Sequence, residues 1–99
     1  MAYEAIHGSV RVTADSVVGR SGSPLRVFSV TWLSGAAGGE LVLRNGTDAT
    51  GTIYVQQDGT AGKTVVQSWD EGLLFPNGCF FDKDANVTAA VIECRNELI

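Results

Sequence analysis

The chain's ninety-nine residues, 44% of them apolar and 18% charged, suit one domain with a single core and are too few for two. Seven basic residues against eleven acidic ones leave a formal net charge of −4, and Arg11, Arg20, Arg26, Arg44, Lys63, Lys83 and Arg95 form no run. This scatter argues against a nucleic-acid interface, which clusters its cations to meet phosphates. No stretch is apolar for long enough to span a bilayer. Met1-Ala2-Tyr3-Glu4 lacks the basic-then-apolar pattern of a secretory signal, so synthesis in the cytoplasm is the expectation. The low charge fraction suits either an ordinary neutral surface or one partly covered by other subunits.

In chain order, residues 1–8 mix small, aromatic and charged types and suit an N-terminal arm, while residues 9–13 alternate Val10 and Val12 with polar neighbours as a first strand. Residues 14–18 carry no clear period, and Arg20-Ser21-Gly22-Ser23-Pro24 is a loop. A long strand over 26–34 sets Phe28, Val30 and Trp32 on one face against Val27, Ser29 and Thr31 on the other. After a glycine-rich turn at 35–39, residues 40–44 place Leu41 and Leu43 together, and Asn45-Gly46-Thr47-Asp48 has strong turn chemistry. Strands follow over 52–57 and 63–69, separated by a turn at 58–62, and Asp70-Glu71-Gly72 reads as a tight turn. Pro76 cannot donate to a ladder, so the segment from Leu73 to Phe81 is expected to be broken, bulged or at an edge. Residues 87–94 close a set of about eight strands, the last five resembling a meander. The expected fold is all-β: one small antiparallel β-sandwich, jelly-roll-like, over residues 1–99.

Candidate chemistry is thin. Asp82, Asp84 and Asn86 fall at positions one, three and five of a calcium loop with Glu93 at twelve. However, Val87 stands where the glycine belongs and no helix flanks the segment, so a solvated hairpin turn is the better reading. Gly62-Lys63-Thr64 echoes the end of a phosphate-binding loop, but Gln57 replaces the first glycine and β-like residues follow. His7 is the sole histidine and has no nucleophile or metal partner in the pattern. Asp70 and Glu71 are adjacent and diverge, which suits a solvated turn more than acid–base work. Asn45-Gly46-Thr47 and Asn86-Val87-Thr88 match a glycosylation sequon but are read as turns. If residues 82–87 close a hairpin, Cys79 and Cys94 share a face about 13 Å apart, too far to bridge, so two buried thiols are expected unless a register slip or bulge brings them together. The rings of Phe28, Trp32, Trp69, Phe75, Phe80 and Phe81 serve mainly as core, with a carbohydrate groove as the competing use. Phe80 and Phe81 are adjacent, so one of them turns to an outer face, where it suits an intersubunit contact. Tyr3, on the expected arm, is a further contact candidate. No catalytic, cofactor or metal residue is expected.

The segments Glu40-Leu41-Val42-Leu43-Arg44-Asn45-Gly46-Thr47, Gly51-Thr52-Ile53-Tyr54-Val55 and Gly72-Leu73-Leu74-Phe75-Pro76-Asn77-Gly78-Cys79-Phe80-Phe81-Asp82 resemble small virion proteins of tailed bacteriophages. In that group a VLRDG strand-turn precedes a GxxFxxGxxxD segment and a final apolar strand, a pattern spanning about residues 26–94 here. The resemblance implies a non-enzymatic head decoration or cement protein, located in the virion. It would bind the major capsid protein or other virion proteins, often as a homotrimer. A tail, neck or fibre component is the nearest alternative, and a carbohydrate-binding or adhesion module is a second class. The resemblance transfers no site residues.

Overall fold

The computed structural model describes residues 7–97, which form eight strands and no helix. These are β1 (His7–Val12), β2 (Ser16–Val18), β3 (Leu25–Ser34), β4 (Gly39–Asn45), β5 (Thr52–Gly59), β6 (Thr64–Phe75), β7 (Cys79–Lys83) and β8 (Val87–Asn96). They make two four-stranded antiparallel sheets, ordered β1-β8-β3-β6 and β2-β7-β4-β5, an arrangement compatible with a small β-sandwich. Pairing is nested: β1 with β8, β2 with β7, β3 with β6 and β4 with β5. The chain is thus one long antiparallel hairpin whose tip is the turn between β4 and β5.

This nesting corrects the expected meander over the last five strands. Only β4 and β5 are consecutive neighbours in one sheet; β6, β7 and β8 alternate between sheets. Turn chemistry decides that a chain reverses, not whether it reverses within its sheet or over to the facing one. Pro76 illustrates this: the segment 73–81 is broken there, as expected, into β6 and β7, which lie in different sheets. The proline occupies the corner from β6 to β7, which the Gly78 N–H closes on the Phe75 carbonyl at 3.1 Å. The segment 82–87 likewise carries the chain from one sheet to the other rather than closing a hairpin. Cys79 and Cys94 therefore lie in opposite sheets, both buried in the core and both free.

Asp70-Glu71-Gly72 is not a turn between strands. β6 runs through it: Leu73 pairs with Val27 and Ser68 with Ser29, so residues 69–72 of β6 face the single residue Phe28 of β3 as a wide bulge. Leu73 to Phe75 continue the ladder on the far side, which holds the excursion inside the strand. Gly72 has φ +81°, and a Cβ there would lie 2.4 Å from Cγ of Arg26. Only glycine fits both the backbone and the space.

The bulge also changes the phase of β3. Phe28 is an extra residue against β8 as well, since Val27 pairs with Cys94 and Ser29 with Glu93. Leu25 and Val27 point inward before it, Val30, Trp32 and Ser34 after it. Phe28 is thereby removed from the face on which period-2 alternation placed it. It is half-buried, with the Arg95 guanidinium 5.4 Å from its ring centre. The core between the sheets is built from Trp32, Phe75, Phe81, Leu25, Leu41, Leu43 and Ile92, with valines filling between them. His7 and Gly8 belong to β1 and pair with Arg95 and Cys94, so the expected arm is shorter than residues 1–8. Residues 1–6, with the contact candidate Tyr3, lie outside the described residues.

Candidate functional site

Phe80 and Phe81 separate as adjacent strand residues must. Phe81 is fully buried between the sheets and cannot meet a partner subunit, so it is a core ring. Phe80 is the outward one, half-buried between its cross-strand neighbours Val17 and Arg44. Of the remaining aromatic residues, Trp32 and Phe75 are buried, Phe28 and Trp69 half-buried, and Tyr54 is exposed with its ring centre 5.1 Å from that of Phe75. These rings do not gather into one exposed platform.

The acidic loop has its carboxylates engaged in different directions. Asp82 accepts from Arg44 Nε at 2.9 Å, while Asp84 accepts from the backbone N–H of Glu40 at 3.0 Å and of Asn86 at 2.9 Å. Among the described residues no three His, Cys, Asp or Glu side chains are grouped to hold a metal ion. Asn45 Oδ1 accepts the Asn77 N–H at 2.9 Å and so ties the β4 end to the β6–β7 corner. Asp70 and Glu71 are exposed on the bulge, and the Glu71 carbonyl accepts from Arg26 at 3.1 Å. Lys63 is exposed in the turn before β6.

Burial pushes the Cys79 thiol up to about 12, with the nearby Cys94 adding to the shift; burial also raises Cys94. Neither is a thiolate nucleophile at neutral pH. Cys94 lies in the wall of a shallow side opening of about 280 Å³, together with Gly8, Val10, Gly19, Leu25 and Asn96. The opening exists because Gly8, opposite Cys94 in the ladder, brings no side chain to cover it. It offers one protonated thiol, one amide and the Ser9 hydroxyl, and it is too small to enclose a drug-sized ligand.

The surfaces are more distinctive than the opening. At one end of the β1-β8-β3-β6 sheet, Glu97 receives Arg95 Nε at 2.8 Å and Arg26 Nε at 3.3 Å. Desolvation works to raise its carboxyl, but the hydrogen bonds and charges of Arg95 and Arg26 outweigh it and hold Glu97 below its ordinary value. Further along the same outer face Glu93 follows, paired with Ser29 and Ser9, and beyond it lies a partly apolar row edged by Arg11, the cross-strand partner of Val91. Thr31 is flanked in register by Val66 on β6 and Val91 on β8, with Leu33 one step along β3. Val66, Leu33 and Val91 are 64%, 53% and 40% exposed. At strand spacing the two valines stand about 10 Å apart.

On the flank between β5 and β6, the Trp32 indole N–H donates to Gln57 Oε1 at 2.9 Å, and Gln57 Nε2 donates in turn to Gln67 Oε1. This polar chain bridges the two sheets at their shared open side and satisfies an otherwise buried indole donor.

The outer-face patch was not recognised in the period-2 reading, yet a signal exists. Trp32-Leu33, Val65-Val66 and Val91-Ile92 are adjacent apolar pairs within strands, and each must turn one member outward. The argument that singled out Phe80 and Phe81 applies equally to them. Comparison with protein-family models, with curated proteins and with solved structures finds no match to this chain.

Proposed function

We propose that this chain is a non-enzymatic structural protein of a tailed-phage particle, a head decoration or cement protein that binds major capsid subunits through its strand edges and outer sheet face. The observation that carries the reading is the nested strand order, β1-β8-β3-β6 facing β2-β7-β4-β5. A rolled hairpin of eight strands in two sheets supports a jelly-roll reading, an architecture used by viral capsid and lectin domains. The resemblance of residues 40–47, 51–55 and 72–82 to small phage virion proteins points to the first of these. A face that exposes Val66, Leu33 and Val91 suits a shell that buries many copies against a lattice, where weak contacts accumulate.

The function predicts a mechanical effect. Heads lacking the protein, once saturated with it, should release DNA at a higher temperature than bare heads, as expected when a ligand binds only the intact state. An unchanged release temperature at full occupancy would reduce the role from cement to ornament. A tail, neck or fibre location gives uptake by those structures and none by heads. The lectin branch predicts glycan-array binding. The scattered aromatic rings, with Tyr54 the exposed one among the described residues, weigh against that outcome.

A further inference from the structure

The two sheets have four edge strands, and three of them carry protection against pairing with another chain. β1 bears Arg11, β2 is three residues long, and β5 is bulged in mid-strand, where Tyr54 is extra between Val55 opposite Leu43 and Ile53 opposite Arg44. Charge, shortness and bulges are the usual means by which an edge is blunted. β6 differs. From Thr64 to Ser68 it pairs in unbroken register with Leu33 to Ser29, and the stretch Thr64-Val65-Val66-Gln67-Ser68 has no charge, no proline and no bulge. No strand pairs with its far side among the described residues. Its exposed Val66 is continuous with the apolar patch of Leu33 and Val91.

The geometry points to a second copy of this chain as the occupant of that edge, with β6 of one copy adding antiparallel to β6 of the other through residues 64–68. The exposed backbone groups define the partner as an extended strand. Charge defines which strand. Each copy carries a net charge of −4, so two copies approach at least cost through surfaces without charge. In an isologous antiparallel contact centred on Val66, Val66 meets itself while Thr64 and Val65 meet Ser68 and Gln67, so no charge is brought against a like charge. β6 meets both conditions over 64–68. Such pairing closes at two copies, whereas the phage-protein resemblance implies three. The contact is a property of the isolated chain, so its failure would leave the capsid-binding reading standing.

The test is light scattering on the full chain over about 1–300 µM, with Val66→Lys, Thr64→Lys and Val91→Lys compared at matched circular dichroism. Wild type should approach twice the 10.4 kDa chain mass. Val66→Lys and Thr64→Lys, each placing a charge on the edge, should raise the dissociation constant at least ~10-fold. Val91→Lys lies on the same face but two strands from the edge and should leave it unchanged. Val66 and Thr64 are both exposed, so either variant serves if the other misfolds. Four results overturn the assignment: a monomer throughout the range, a trimer, loss of association in Val91→Lys as well (face stacking), or association unaffected by the edge lysines.

Discussion

Trp32 shows how a buried aromatic constrains its surroundings. Its ring is nearly fully buried, and its indole N–H has Gln57 as acceptor. Gln57→Leu should strand that donor and cost about 1–3 kcal/mol. In a Trp32→Phe background, which lacks the donor, the same substitution should cost much less; urea titration of the two single variants and the double variant would measure the difference. Glu97 gives a pH signature. Because its folded-state value is depressed, it stabilises the protein above its ordinary value of 4.5, and that contribution is lost as pH falls through the lower, folded value. Glu97→Gln should therefore be about 0.5–1 kcal/mol less stable than wild type at neutral pH, with the gap closing in acid below 4.5. A gap that persists at low pH would show that the two arginine contacts are not its source. Phe81→Ala, emptying the core, should cost about 3–5 kcal/mol, and Phe80→Ala clearly less.

The elements were legible where a residue's surroundings follow from its own strand, and illegible where they follow from another. The alternation of Leu41 with Leu43 is enough to place β4, and Val30 with Trp32 to place the later half of β3. Phe28 is different, because the inward phase of β3 resets at a bulge created by four residues of β6. Asp70-Glu71-Gly72 has the composition of a turn, and only the continued pairing of Leu73 to Phe75 with β3 makes it a bulge. Gly72→Ala should test that geometry: a left-handed alanine costs about 1–2 kcal/mol, and the contact with Arg26 adds to it. A neutral result in thermal melts would mean that the bulge is not as tight as its geometry implies. At Gly8 the sign reverses. Its φ is not left-handed and nothing lies within 4 Å of an added Cβ, so Gly8→Ala should stabilise by about 0.4–1 kcal/mol.

At the scale of the whole molecule, what could not be read was strand order. Cys79 and Cys94 would share one strand face in a hairpin, but they lie in opposite sheets because the chain is wound as a nested hairpin, and no local turn residue records that winding. The edges were hidden for the same reason. Val65-Val66 is visible as an uncharged pair in the sequence, but only the pairing of β6 with β3 alone makes it an edge. Once order is known, the candidate surface follows: a partly apolar face with Val66, Leu33 and Val91 exposed, edged by Arg11 and Glu93 and bounded at one end by the Arg26–Glu97–Arg95 cluster. We propose that this surface serves a virion. The most direct measurement is an uptake isotherm, in which purified protein is titrated onto phage heads that lack it and sedimented with them. Uptake should saturate at a fixed number of copies per capsid subunit and weaken when Leu33 or Val91 is changed to lysine. No cosedimentation at any concentration would contradict the proposal.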